Sequence, residues 1–262
     1  MLLSQERPRA RLTANPPRPD RLLPPAGQRS NVQESDRFVA HGHRDVFSRE
    51  MQQVRAGVIR MGELVSSAID AAVSALSSMD LQAARAVITR DRQINLAQTE
   101  LSSLVITTIA TQAPVAGDLR FLISLSHVSY ELERIGDHAA GVARETIRLL
   151  TRDTDALPAV NAGLDRLGEL ASGTLHGVLL ALSDLDEEAA RRVAAEDDEM
   201  DREYHAFFSR TLEGMRRDPL WVDSGAHLLF AAKNLERIGD RVTNIAEDVV
   251  FLATGETEDL NP

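Results

Sequence analysis

One hexapeptide occurs twice in this chain and constrains its fold more than any other feature. Leu-Glu-Arg-Ile-Gly-Asp stands at 132–137 and again at 235–240, an offset of 103 residues. A second set of positions repeats upstream at an offset of 106 residues, in which Asp80, Arg85 and Asp91 match Asp186, Arg191 and Asp197. Two aligned sets indicate that a unit of roughly 100 residues, the size of a small domain, has been duplicated.

The apolar residues of both copies recur every three or four positions, which is the spacing of an amphipathic helix. Asp80 and Asp186 are placed to cap helices at their first turn. Pro114, Pro158 and Pro219 interrupt the helical pattern. The sequence therefore predicts an all-α fold of six long antiparallel helices, arranged as two tandem homologous three-helix bundles.

Composition divides the chain into four parts. Residues 1–40 are rich in proline and arginine, with six arginines in the first 30 residues, and are expected to be disordered. We expect the first bundle in 41–153, the second in 154–255 and an acidic tail in 256–262.

Charge and composition exclude several classes of function. The net charge of −11 argues against nonspecific binding to nucleic-acid phosphates. The absence of cysteine excludes disulfides and thiolate metal sites. The longest uncharged stretch, 101–117, contains serine, threonine, glutamine and proline and falls short of a membrane span. The start of the chain lacks the apolar core of a signal peptide, so we expect a cytoplasmic protein.

The second copy carries four carboxylates that are predicted to face one another. Glu236 and Asp240 lie one turn apart on one helix face, and Asp197 and Asp201 have the same spacing on the preceding helix. Asp197 also interrupts the apolar stripe of its helix, which indicates a partly buried charge in need of a cation or hydrogen bonds. Oxygen ligands of this kind suit hard cations such as magnesium, manganese, calcium or iron.

The first copy carries a poorer version of the same set. Its candidate metal ligands are Asp91, Asn95, Glu133 and Asp137. In the second copy Asn244 and Glu247 lie further along the helix and would extend the site, whereas Gly141 and Arg144 stand at the matching positions of the first copy. We therefore expect unequal sites, with the second binding metal better.

Two alternatives to a structural metal site stay open at this point. The carboxylates could form a solvated face paired with Arg134 and Arg237, although Gly136 and Gly239 inside helices indicate close approach of another helix or a ligand. A metalloenzyme of the di-iron bundle type is less favoured, because none of the seven histidines has a glutamate three residues before it.

The doubled hexapeptide resembles the signature of the PhoU phosphate-uptake regulators. Asp-x-x-Ile-Asn at 91–95, Asp-x-x-Met-Asp at 197–201 and the link at 114–120 resemble the same family. The resemblance covers about residues 41–253.

This resemblance implies a pair of three-helix bundles with metal, often iron or zinc, at the carboxylate motifs; manganese and magnesium also suit the ligands. It implies a negative regulator of phosphate uptake and of the phosphate-starvation response that is not an enzyme. The expected partners are the ATPase subunit of a phosphate ABC transporter and a sensor histidine kinase, through which the protein would be peripheral to the membrane. An accessory protein of a different phosphate or ion transporter is the alternative, and a homodimer is compatible with the sequence.

Overall fold

A computed structural model describes the backbone of residues 26–151 and 161–261, with side chains from 46 to 151 and from 163 to 261. Helix α1 begins at Ala26, so residues 26–40 are helical where composition predicts disorder. The physical reason is that the prolines of this segment end at Pro25, after which nothing in the sequence prevents a helix. The rest of the expected disordered segment, 1–25, lies outside the described residues. All contacts below lie within 45–261.

The described residues are helical almost throughout, which confirms the all-α class. The helices are α1 (Ala26–Ser77), α2 (Leu81–Gln112), α3 (Ala116–Leu150), α4 (Asn161–Asp184), α5 (Glu187–Ala195), α6 (Asp197–Arg217) and α7 (Val222–Thr254), with a 3-10 turn at Pro219–Trp221. The predicted fifth helix is divided at Glu196 into α5 and α6. Within the described residues, no helix combines the length and the apolar character that crossing a membrane requires.

The same capped turn opens the second helix of each copy. The Asp80 carboxylate accepts the backbone N–H of Ala83 at 3.0 Å, and Asp186 accepts that of Ala189 at 2.9 Å. The residue before each cap has a left-handed φ of 53°. Both predicted caps are confirmed, and the duplication extends to this unusual backbone conformation.

Equivalent helices of the two copies pack against each other, so the bundles share one continuous core. On α1 and α4, Gly62 faces Leu179 and Gly168 faces Val73, which are pairs of equivalent positions exchanged between copies. Helices α3 and α7 pack antiparallel and in the same exchanged manner, since Glu131 contacts Arg241 and Asn234 contacts His138. The contacts on both helix pairs therefore follow an internal pseudo-twofold symmetry, like the two-sided interface of a symmetric dimer.

The hexapeptides lie on α3 and α7 and divide their residues between core and surface. Leu132 and Ile135 are fully buried, as are Leu235 and Ile238 to within 1%. Burial of each such side chain contributes about 1.5–3 kcal/mol to stability. The apolar half of the motif thus fixes α3 and α7 in the core and sets the direction in which its carboxylates point.

Two histidine–carboxylate pairs join α3 to α7. His227 Nδ1 lies 2.7 Å from Glu145 Oε2, and both residues are buried. His127 Nδ1 lies 2.6 Å from Asp248 Oδ2, but the His127 side chain is 53% exposed. Glu145 and Asp248 are equivalent positions of the repeat. The same repeat position therefore supplies the acidic partner of a histidine at each end of the α3–α7 interface.

Replacing His227 by alanine should destabilise the protein more than replacing His127. His227→Ala leaves a buried Glu145 with only its Arg148 partner, and we expect a loss of about 2–3 kcal/mol in the free energy of unfolding. His127→Ala breaks a half-exposed pair and should cost under about 1 kcal/mol. Urea denaturation of both variants measures the difference, and equal losses would contradict the structural assignment.

Candidate metal centres

Glycines on α3 and α7 let an aspartate of the neighbouring helix approach the backbone. A Cβ atom at Gly239 would lie 2.5 Å from Asp197 Oδ1. A Cβ atom at Gly136 would lie 2.9 Å from Ile94 Cδ1 and 3.5 Å from Asp91 Oδ1. The predicted close approach at both hexapeptide glycines is confirmed, and it places Asp91 and Asp197 beside the acidic residues of the motif.

The four carboxylates predicted for the second copy interact electrostatically, as their spacing indicates. Burial raises the pKa of Asp197 to about 6, and repulsion from Asp240, Asp201 and Glu236 adds to it. Asp197 Oδ1 is buried and has no hydrogen-bond partner. This oxygen is the type of group that a protein interior tolerates only with a proton, a donor or a cation nearby.

Glu236 is the most buried member of this second cluster, with 8% exposure. Its Oε1 pairs with Lys233 and its Oε2 is buried without a partner. Burial raises the pKa of Glu236, while the hydrogen bond from Lys233 opposes that rise and Asp240 adds to it. One cation from the chain is therefore present, but it leaves half of the Glu236 carboxylate unsatisfied.

The first cluster contains its own arginine. Burial raises the pKa of Asp91, Asp137 adds to it, and Arg144 opposes it. Burial likewise raises the pKa of Glu133, followed by repulsion from Asp137 and Asp91. The Arg144 guanidinium donates to the Asp137 backbone carbonyl at 3.1 Å, while Asn95 is exposed. A fixed positive charge beside three carboxylates supports the expectation of a weaker first site.

The two predicted extensions of the second site line a cavity together with Asp240, but their hydrogen-bond partners lie outside the four carboxylates. Asn244 Nδ2 donates to Glu131 Oε2 on α3 at 3.2 Å. Glu247 Oε1 accepts the backbone N–H of Leu260 at 3.1 Å. Asn244 therefore contributes to the α3–α7 contact, and Glu247 holds the C-terminal segment.

Sequence reasoning missed Glu131, a buried charge that ties α3 to α7. It is 5% exposed and bonds to Arg241 at 3.3 Å as well as to Asn244. His127 Nε2 also lies 3.8 Å from Glu131 Oε1. The available signal was its place immediately before the hexapeptide, where the other copy has an uncharged Asn234.

Asn234 of α7, which matches Glu131 in the repeat, makes the equivalent contact with α3. Its Oδ1 lies 3.2 Å from His138 Nδ1, and a Cβ atom at Gly141 would lie 2.7 Å from Asn234 Cγ. Gly141 and His138 match Asn244 and Arg241 in the repeat. The departures of the first copy at these positions are thus explained by packing between the copies.

The chemistry of these groups fits a hard cation, because the donors are oxygens and three of them are buried without partners. These atoms are Asp91 Oδ1, Asp197 Oδ1 and Glu236 Oε2. As positioned, no three histidine or acidic side chains in the described part of the chain converge closely enough to hold one ion. Cation binding would therefore require side-chain rotation within each cluster.

The comparisons with known proteins match both copies. The model of the PhoU domain matches residues 58–146 and 164–249. The chain belongs to the PhoU family. A relative in the family is the phosphate-specific transport system accessory protein PhoU homolog of Caulobacter vibrioides (strain NA1000 / CB15N), 36% identical over 80% of this chain and 90% of that protein.

Two solved PhoU structures share the fold. The crystal structure of PhoU from Pseudomonas aeruginosa gives a TM-score of 0.76 at 33% identity, covering 80% of this chain and all of that one. The phosphate transport system regulatory protein PhoU from Streptococcus pneumoniae gives 0.74 at 30% identity, covering 81% of this chain and 99% of that one. The PhoU assignment made from the repeated motifs is confirmed.

The raised pKa of Asp197 predicts a pH dependence for the metal-free protein. The folded state keeps the Asp197 proton up to about pH 6, whereas an ordinary aspartate loses it near 3.8. The unfolded state therefore binds fewer protons between these values, and the contribution of Asp197 makes the free energy of unfolding fall as pH rises from about 4 to 6. Asp197→Asn should flatten this fall and should be more stable than the parent at pH 7 without metal.

Urea denaturation in chelator at several pH values measures this effect. Asp184→Asn, at the exposed end of α4, is the matched control and should retain the slope of the parent protein. If the free energy of unfolding of Asp197→Asn fell with pH as steeply as that of the parent, the raised pKa assigned to Asp197 would be refuted.

Proposed function

We propose that this protein is a negative regulator of phosphate uptake and of the phosphate-starvation response. The observation that carries the proposal is the match of both repeats to the PhoU domain. The names of the relatives support it, since one is a phosphate-specific transport system accessory protein and another a phosphate transport system regulatory protein. The protein would act as an adaptor between the ATPase subunit of a phosphate ABC transporter and a sensor histidine kinase.

An adaptor that is not an enzyme suits the chemistry of the described residues. Both histidine–carboxylate pairs join α3 to α7 and serve packing between the copies. The shared core makes one body of the two repeats, which supports the presentation of two related surfaces to two partners. Such a protein would regulate its partners by reversible binding, so that the bound fraction of each partner follows from concentrations and affinities.

Metal binding is the second part of the proposal. At the second cluster Asp197, Asp201, Glu236 and Asp240 would hold the cation. At the first cluster Asp91, Glu133 and Asp137 would do so more weakly beside Arg144, with Asn95 as the fourth ligand. A bound divalent or trivalent cation would supply the positive charge that these carboxylates lack, and it would fix α6 against α7 and α2 against α3.

Bound cation should stabilise the folded protein by linkage. At a free Mn²⁺ concentration of about 100 times the Kd, the gain is about 2.7 kcal/mol, which corresponds to a rise in Tm of about 5–10 °C. The double variant Asp197→Ala with Glu236→Ala should lose most of this rise. Asp91→Ala with Glu133→Ala, the matched change in the first copy, should lose the smaller part.

Thermal unfolding of the chelated and Mn²⁺-loaded proteins provides the measurement. A parent protein whose Tm is the same in chelator and in Mn²⁺ would contradict structural metal. Equal losses in the two double variants would contradict the predicted inequality of the sites.

A phosphate-starvation reporter tests the regulatory function. In a strain that lacks this protein, alkaline phosphatase should be expressed constitutively in abundant phosphate, because the kinase is no longer held in its non-activating state. The parent gene should silence the reporter, and the second-cluster double variant should silence it less well than Asp184→Asn. A reporter that stays low in the deletion strain would contradict the regulatory role, and capture of a transporter ATPase by the tagged protein would then support an accessory role alone.

A further inference from the structure

A short segment after α7 folds onto the second cluster. Helix α7 ends at Thr254 and is capped by Gly255, which has a left-handed φ of 82°. We refer to residues 256–261 as the C-terminal strap. Arg191 Nη2 and Nε donate to Glu258 Oε2 at 2.9 and 3.1 Å. Leu260 is partly buried against the core. The strap is thus fixed by a fork of charged hydrogen bonds and by an apolar contact.

The strap ends on Asp197 of the second cluster and on the neighbouring Glu247. Asn261 Nδ2 donates to Asp197 Oδ2 at 3.0 Å, and the Leu260 backbone N–H donates to Glu247 Oε1 at 3.1 Å. A cavity of about 430 Å³, lined by residues of α7 and of the strap, lies beside these bonds. Asp240 and Glu247 contribute to its α7 wall.

Amide donors and a cation would use the same oxygens of Asp197 but would have different effects on charge. A neutral amide satisfies a lone pair and leaves the repulsion among the carboxylates almost unchanged, whereas a divalent ion satisfies the lone pair and offsets the charge. Asp197 Oδ1 is buried without a partner, so a cation that satisfies this carboxylate through both of its oxygens also needs Oδ2. Asn261 occupies that oxygen.

We propose that the C-terminal strap is a built-in competitor for the cation at the second cluster. Asn261 holds Asp197 Oδ2 when no cation is bound, and cation binding releases the end of the strap. This inference rests on the cation binding proposed above. It gives the second cluster two alternative states, each with its own arrangement of the surface around Arg191.

The strap pattern belongs to the duplicated unit. Thr-x-acid-Thr-acid-x-Leu stands at 254–260 and recurs in the sequence at 151–157, an offset of 103 residues, although that second segment is largely outside the described residues. Arg191, which anchors the strap, matches Arg85. Both occurrences lie beyond the stretches that the PhoU domain model matches. The repeated pattern covers 254–260, whereas Asn261 matches Pro158, so the amide donor is particular to the second copy.

Asn261→Ala tests the proposal without changing the charge of the chain. The variant removes the competing donor, so Mn²⁺ should bind the second cluster about 3- to 10-fold more tightly than in the parent. Gln82→Ala, which removes an exposed amide from α2, is the matched control and should bind Mn²⁺ at the second cluster like the parent. Titration of the full chain, with free Mn²⁺ followed by electron paramagnetic resonance, gives the affinities.

Hydrogen exchange of the C-terminal peptide supplies an independent measurement. Saturating Mn²⁺ should speed exchange of the Leu260 amide in the parent protein, because the strap is released. Mn²⁺ binding that is equal or weaker in Asn261→Ala, or exchange that is unchanged or slowed by Mn²⁺, would overturn the competitor role while leaving cation binding intact. If neither the parent nor any variant binds Mn²⁺, both the metal proposal and the strap proposal fail.

Discussion

The packing of α3 against α7 is the constraint on which the rest of the structure depends. These helices carry the two hexapeptides, and their contacts exchange equivalent residues, with Glu131 bonded to Arg241 and Asn234 beside His138. A buried carboxylate such as Glu131 is tolerated only with charged or hydrogen-bonding partners, so the crossing of the helices is specified by polar as well as apolar contacts. Because both clusters are built on this one helix pair, the position of each is tied to the other.

The hexapeptide shows how one helical turn can serve the core and a charged site together. Leu132 and Ile135 face the core, while Glu133 and Asp137 fall on the face that meets α2. Gly136 removes the side chain that would keep α2 away. The stability of the apolar contacts allows the motif to hold carboxylates close enough that burial and repulsion raise the pKa of Glu133.

The sequence was sufficient for those features that depend on local pattern. Periodicity and proline breaks located the helices, and Asp80 and Asp186 were identifiable as caps from position alone. The division at Glu196 was not visible, because a helix break without proline or glycine leaves the apolar spacing intact. Asn244 was placed with the metal ligands because it continues the register of Asp240, but register says which face a residue shares and not which helix meets that face. The strap was visible only as acidic composition, since its docking depends on Arg191, far away in the chain.

The two clusters differ in how their repulsion is relieved, and this difference follows from single positions of the repeat. Arg144 brings a guanidinium to the first cluster, where the second copy has Glu247. The guanidinium of Arg144 stays protonated, so the charge it supplies is permanent. Glu247 instead adds a carboxylate that accepts a backbone amide of the strap. An amide held by the strap, outside any helix, would be exchanged for an ion at little structural cost, so the second of the two proposed sites would be the one suited to exchange.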